Sequence, residues 1–251
     1  VMPVVKANAY GHGALEVARV LEDDGAKWLA VSNAEEGVEL RRAGMHARVL
    51  VMADFLPESR QLLEEYGLTP VVHSLEDLQA VDVPYHLKID SGMGRLGTRA
   101  TPEEIARAVS ANPSPLEGVM THFASSANFD SRQTEEQIEH FEQVLDALKA
   151  SGHAPRYVHA SSTNSIAYQR RAAWGNLVRP GHAIYGYVSA AKGVAKAKLE
   201  VRPALSWKAT VLATNRVPAG AQARASRSAK VPGAGEARSP AATPTRDRKS
   251  T

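Results

Sequence analysis

The sequence predicts an α/β fold, specifically a (β/α)8 barrel, on two observations. Eight short apolar or β-branched runs recur between residues 1 and 179, with helical patterns between most of them. Lys, Arg and His collect at the C-terminal ends of five of those runs. That is the face on which barrels carry their chemistry. A doubly wound open sheet is the structural alternative; the count of eight and the one-sided placement of polar groups favour the barrel.

The elements follow in order. The run 1–5 (VMPVV) opens the chain and ends at Lys6. Residues 14–21 place Ala14, Val17, Ala18 and Leu21 on one face at helical spacing. Runs 28–31 (WLAV) and 48–52 (RVLVM) flank a helix at 34–43, which Asn33 caps and Gly44 stops. Run 69–72 (TPVV) precedes a short helix at 75–81, opened by Ser74 and Asp77 in capping-box fashion. Run 85–89 (YHLKI) leads into the glycine-rich loop SGMGRLG (91–97). Thr101-Pro102-Glu103-Glu104 supplies a cap, a first-turn proline and two acids matched to the helix dipole. Run 115–120 (PLEGVM) precedes the clearest helix, 134–150, with Ile138, Phe141, Val144, Leu145 and Leu148 in one stripe. Runs 156–160 (RYVHA) and 176–179 (NLVR) complete the eight.

From about 189 the pattern changes. Residues 203–212 (PALSWKATVL) read as the first strand of a further β domain. This divides the chain into a barrel (1–190), a linker and strand (191–212) and a tail (213–251). The tail has no Leu, Ile, Phe, Tyr or Trp, so it cannot bury enough apolar surface to offset its chain entropy and is expected to be disordered. The net charge of +3 is unevenly spread: the tail holds eight Lys/Arg against two acids, which leaves the body mildly acidic. The abrupt switch in composition resembles translation in a shifted reading frame, or a chimera. A basic tail can attract nucleic acid, but this one lacks an aromatic for base stacking, and no nucleic-acid partner is expected. The absence of Cys excludes a disulfide framework and thiolate chemistry and fits a reducing cytoplasm, the expected location. No apolar run approaches the roughly 18 residues of a membrane span. Val1 enters an apolar run with no Met before it, which reads as a truncated record.

Candidate chemistry lies at the run ends. Alternation puts Val4 and Lys6 on one face of the first run and Val5 on the other. A lysine immersed in a barrel loses hydration, its pKa falls, and the neutral amine can attack a carbonyl to form a Schiff base; a lysine that snorkels to solvent is the plainer reading. Gly11 and Gly13 flank His12 and permit a tight turn. His86, Lys88 and Asp90 share a face, and a lining Lys88 beside Arg95 needs acidic partners or a modification that removes its charge. The loop 91–97 lacks dinucleotide spacing. His122 ends the sixth run, as a core histidine or as a site group. STNS (162–165) and RPGHAIYG (179–186), after the seventh and eighth runs, offer the hydroxyls, free N–H groups and glycine that a phosphate monoester needs.

At these residues the chain resembles the bacterial alanine racemases. VVKANAYGHG (4–13), HLKIDSGMGRLG (86–97), THFASS (121–126), NS (164–165) and VRPGHAIYGY (178–187) carry the likeness, which runs from Val1 to about Leu212. The resemblance implies a fold-type III barrel, pyridoxal 5'-phosphate as cofactor, and interconversion of L- and D-alanine for peptidoglycan precursors. It also implies a homodimer in intact relatives. Lys6 resembles the cofactor lysine, which also serves as one of two bases. Tyr10, Ser165, Gly181 and the backbone of His182 resemble the phosphate cradle. Arg179 resembles the partner of the pyridine nitrogen, Arg95 the ligand of substrate and cofactor oxygen, and Lys88 the position that is often carbamylated. His122 resembles the imidazole packed on the ring, and Asn164 a supporting partner. An arginine at the ring nitrogen stays protonated, so the nitrogen does not; that favours prompt reprotonation of the substrate over transamination.

The chain departs from the family pattern in three places. The family's segment before the first strand is absent. The β-rich second domain, which supplies a catalytic Tyr to the partner subunit's site, is represented only as far as RVPAG (216–220), and no Tyr follows Tyr187. HASSTNS (159–165) is longer than the usual motif. Impaired turnover is therefore expected. Two other functions fit parts of the pattern: a non-catalytic barrel that binds pyridoxal phosphate, and a metal-dependent barrel hydrolase using His86, His122, His159 and a carbamylated Lys88. The hydrolase lacks an HxH pair after the first run and an acid at 180–188.

Overall fold

The structure, a computed structural model, describes residues 1–195 and 198–210. Val1–Ser206 form one unit; of the second, the described residues 207–210 take no regular secondary structure. Six parallel strands run in the order β1 (Trp28–Val31), β2 (Arg48–Val51), β3 (Thr69–Val72), β4 (Tyr85–Lys88), β5 (Leu116–Met120) and β6 (Tyr157–His159). Each is followed by helix, as a parallel sheet requires.

Eight regular strands were expected and six form, but the other two runs occupy their barrel positions. Val4 bridges Ala30 of β1, and Arg179 bridges Ser162 just beyond β6. Met2 N–H donates to Val178 O and Val4 N–H to Pro180 O, both at 2.9 Å, so the first and last runs pair with each other. Pro3 and Pro180 have no N–H to give to a ladder, and the chain leaves the extended conformation at Lys6. These runs are therefore joined by isolated bonds. The expected strand at 203–212 does not form over its described residues, 203–210. Ala204 N–H donates to Tyr185 O, and Leu205 is exposed. Residues 211–212 and the tail reading at 213–251 lie outside the described residues.

The period of two along each strand separates two buried layers. Leu29, Val31, Val49, Val51, Val72, Leu87 and Val119 face the helices, where Leu40, Leu63, Leu78, Ile105, Val144 and Leu148 meet them. Met2, Val4, Trp28, Ala30, Leu50, Val71, Met120 and Leu177 fill the interior of the ring. By the same alternation His86, Lys88 and His159 fall on the interior face.

The helices form for the reasons their sequences give. Asn33 accepts from Glu36 N–H at the start of α3 (Ala34–Arg42). Thr101 and Glu104 close a reciprocal capping box on α6 (Pro102–Ala111). At α5 (Leu75–Ala80) only half the expected box forms: Ser74 accepts from Asp77 N–H, while the Asp77 carboxylate reaches back to His73 N–H. α7 (Gln133–Ala150) buries Phe141, Val144 and Leu148 as its stripe requires. α4 (Pro57–Glu65), absent from the sequence reading, starts on a first-turn proline. α2 (Ala14–Asp23) and the five-residue α8 (Thr163–Ala167) complete the set around the site. Among the described residues, no helix is long and apolar enough to cross a membrane.

Candidate active site

The site begins where the first run stops. α1 (Lys6–Gly11) is a helix of the wrong hand: Ala7, Asn8, Ala9 and Tyr10 have φ of 51–54°. For L-residues that conformation costs roughly 1–2 kcal/mol each, so other contacts must hold it. Glu36 does so from α3, accepting from Ala7 N–H at 2.6 Å and Ser32 N–H at 2.7 Å. Asn8 accepts from Ala14 N–H at 2.7 Å, and Ala9 N–H donates to Val5 O at 2.8 Å. Stored strain of this kind concentrates at functional sites. Here it turns Tyr10 away from the strand direction and onto the 181–187 loop, 5.0 Å from the His182 ring and 5.1 Å from the Tyr185 ring. Tyr185 anchors the other side by donating to Val4 O.

The two phosphate-type loops meet opposite this turn. Thr163 Oγ1 accepts from Gly181 N–H at 3.1 Å and from Ala183 N–H at 3.2 Å. A Cβ on Gly181 would lie 2.6 Å from the Tyr10 hydroxyl oxygen, so only glycine lets the loop come this close to it. Ser165 is fully buried, and its Oγ and the Asn164 Oδ1 are buried polar atoms with no partner among the described residues. Unpaired buried hydroxyls are rare and call for an explanation such as a bound group. The sequence offered the hydroxyls of STNS (162–165) together, and the family resemblance singled out Ser165; the structure puts Thr163 directly on the glycine loop.

Arg179 crosses the interior. It is 2% exposed. Nη1 donates to His159 Nδ1 at 2.6 Å and to His159 O at 2.5 Å; Nη2 donates to Thr121 O at 2.6 Å and to Ala160 O at 3.2 Å. Burial pulls its pKa down to about 9, still above neutrality, so the group stays charged. Among the described residues Nη1 and Nη2 make all of its side-chain hydrogen bonds, and Nε–H is the donor left over.

A positive field fills the same rim. Burial first, then the charges of Arg95, Arg179 and Lys6, against the opposing pull of Asp90, bring Lys88 down to about 8. Its Nζ donates to the backbone O of Arg95, not to an acid. The Arg95 side chain itself is exposed. Burial, followed by Arg179, Arg95, Lys88 and Lys6, holds His122 near 3, so it is neutral. Burial and Lys6 lower His182, whose side chain is exposed. Lys6, Lys88, Arg95, His122, Arg179 and His182 thus lie within electrostatic reach of one or more of the others. Asp90 is not beside them as a partner. It turns into its own loop, accepting from the N–H groups of Gly92, Met93 and Gly94 and pairing with Arg99 at 2.7 Å.

His159 Nδ1 accepts from Arg179 Nη1, and its Nε2 meets His86 Nδ1. Among the described residues no cluster of three or more His, Cys, Asp or Glu could hold one.

Comparison with known proteins agrees with this geometry. Residues 1–189 match the model of the alanine racemase N-terminal domain. The chain is 41% identical over 229 residues to an alanine racemase of Carboxydothermus hydrogenoformans, covering 87% of this chain and 62% of that one. It is 37% identical over 233 residues to an alanine racemase of Halothermothrix orenii, covering 88% and 60%. The solved alanine racemase of Clostridium difficile 630 superposes with a TM-score of 0.73 at 32% identity, over 80% of this chain and 56% of that one. The chain thus spans about 60% of the length of the curated relatives it matches. It belongs to the alanine racemase family, and residues 1–189 are the family's N-terminal domain.

Proposed function

We propose that this chain is the pyridoxal 5'-phosphate-binding barrel of an alanine racemase, an isomerase that interconverts L- and D-alanine for peptidoglycan precursors in the cytoplasm. The observation that carries the reading is the buried guanidinium of Arg179, whose Nη groups are consumed by the protein while Nε–H remains for one more acceptor. An unprotonated ring nitrogen is such an acceptor. The rest of the rim fits the same group. The orphaned Ser165 Oγ, the unpartnered Asn164 Oδ1 and a glycine loop against the Tyr10 hydroxyl fit a phosphate, and the rim's positive field fits its charge.

When bound, pyridoxal phosphate supplies an aldehyde for covalent attachment and an electron-accepting ring that acidifies the α-hydrogen of an attached amino acid. Lys6 Nζ would hold that group through its aldehyde and, once an incoming amino group had displaced it, would be the amine that takes and returns the α-hydrogen on its own face. Arg179, charged at neutral pH, would offer its Nε–H to the ring nitrogen and would leave that nitrogen unprotonated. Tyr10, Ser165, Gly181 and the His182 backbone would hold the phosphate, with Asn164 in support. His122, neutral in this field, would add no charge beside the ring. Arg95 binds the alanine carboxylate, and a carbamylated Lys88 would hold Arg95 as an anion. The opposite-face base would come from a partner subunit in a homodimer. The sequence here holds no Tyr after Tyr187, so these 251 residues are expected to turn over about 10²–10⁴-fold more slowly than an enzyme with both bases.

The test is reductive trapping. The chain is incubated with pyridoxal phosphate, reduced with borohydride and digested, and the adduct is located by mass spectrometry. The adduct is expected on Lys6 and is lost in Lys6→Ala; an adduct on another lysine refutes the reading. Loss of deuterium from α-deuterated alanine then separates a racemase barrel from one that only binds the cofactor.

A further inference from the structure

Behind Arg179, at the closed end of the ring, lies a second buried assembly that the proposed chemistry does not use. His159 Nε2 is 2.8 Å from His86 Nδ1, and both side chains are fully buried. His86 Nε2 faces the Glu117 carboxylate at 4.0 Å, and Glu117 is bound by both Nη groups of Arg48. The direction of every proton along this line can be worked out. A guanidinium only donates, so His159 Nδ1 must accept from Arg179 Nη1. The single proton of a neutral His159 is then on Nε2 and must be given to His86 Nδ1. His86 in turn carries its proton on Nε2, toward Glu117. A second proton on either ring would set donor against donor at one of the two junctions. Burial, with the neighbouring Arg48 and Arg179 charges, keeps His86 near 3, and burial likewise lowers His159, so both stay neutral.

The backbone is shaped for this ring. The register of β4 and β5 slips between Tyr85 and His86: Tyr85 pairs with Leu116, but His86 pairs with Gly118. The slip leaves Glu117 out of the ladder as a bulged residue, and bulges re-aim side chains. It also sets Gly118 under the imidazole, where a Cβ would lie 2.5 Å from His86 Nδ1. Trp28 at 5.4 Å and Tyr157 at 5.8 Å, centroid to centroid, enclose the His86 ring.

We propose that His86 is a positioning residue of the active site: by accepting from His159 Nε2–H, it orients His159 as the acceptor that fixes Arg179. The inference rests on the reading that Arg179 meets the cofactor ring, and its test has one arm that does not. The full chain is labelled with ¹⁵N-histidine, and His159 is assigned by its loss in His159→Gln. The expected wild-type spectrum has His159 protonated on Nε2 alone, with that proton protected from solvent exchange. His86→Leu removes the acceptor, so the protection is lost and the pyridoxal phosphate dissociation constant rises about tenfold. His86→Asn, whose Oδ1 can stand in for Nδ1, restores both to within about twofold of wild type. A proton on His159 Nδ1 in the wild type overturns the proposal, and so does a His86→Leu variant with unchanged protection and affinity. If the leucine variant does not fold, the wild-type proton position and the asparagine variant decide. If wild type fails to bind pyridoxal phosphate, the functional reading falls, while the proton position still judges the His86–His159 bond.

Discussion

Replacing Lys88 with methionine should stabilise the protein at neutral pH. Lys88 is 5% exposed, and its ammonium has the Arg95 carbonyl oxygen as its hydrogen-bond partner. Its pKa falls from 10.5 to about 8, chiefly through burial and secondly through Arg95, Arg179 and Lys6, against Asp90. Holding the charge in the folded chain therefore costs about 3 kcal/mol. Methionine is nearly isosteric and carries no charge, but the bond to the Arg95 carbonyl is lost, at about 1 kcal/mol. The net gain is about 2 kcal/mol at pH 7, or about 4–8 °C in Tm for a unit of this size. The sign of the pH dependence is fixed. Between about pH 8 and 10.5 the unfolded lysine is protonated and the folded one is not, so wild-type stability rises with pH in that window. The advantage of the Lys88→Met variant is therefore full below about pH 8 and disappears by about pH 10.5. Urea denaturation of both proteins at pH 7, 8.5, 9.5 and 10.5, without cofactor and in carbonate-free buffer, measures it. A Lys88→Met variant no more stable than wild type at pH 7, or one whose difference does not change with pH, refutes the reasoning.

Two further perturbations probe the scaffold. Gly118→Ala places a methyl 2.5 Å from the His86 ring in an enclosed pocket; it should cost about 1–3 kcal/mol in urea denaturation, and adding His86→Ala should recover part of that loss. Leu148→Ala on α7 empties a fully buried position facing the sheet and should cost about 2–5 kcal/mol by the same measurement.

The strands and helices were legible because period two and period 3.6 are local signals. The site was legible only where the chemistry lies in residue type. Arg179 could be singled out from its motif, but its partners could not: Thr121 and His159 reach it from two different strands, and nothing in either run announces the contact. The left-handed turn was invisible for a different reason. Ala7, Asn8, Ala9 and Tyr10 include no glycine, and only Asn8 is a residue that tolerates that region well. The conformation is imposed by Glu36, 29 residues away from the Ala7 N–H it accepts. Gly118 was likewise read as one more letter of PLEGVM. Its role depends on a register slip that appears only when β4 and β5 are laid side by side. What the sequence hides is where a remote side chain overrides a local preference, and those places cluster around the candidate site.

The excess of cations at the rim connects stability to ligand binding. Lys6, Arg95 and Arg179 all depress Lys88, and Asp90 is the acid that opposes them. Glu36 and Asp90 are spent on backbone N–H groups, so neither neutralises the interior. On the proposed reading, a bound phosphate monoester would bring negative charge to this rim and would draw Lys88 back toward its ordinary pKa. Cofactor and fold would then be coupled in both directions: ligand at about 100 times its Kd would add about 2.7 kcal/mol to the folded state, and above about pH 8 binding would take up a proton that the free chain has released. Arg179 is held by backbone carbonyls and a neutral imidazole, none of which carries a negative charge. A carboxylate in their place would weaken the positive field that the proposed phosphate and substrate carboxylate would meet.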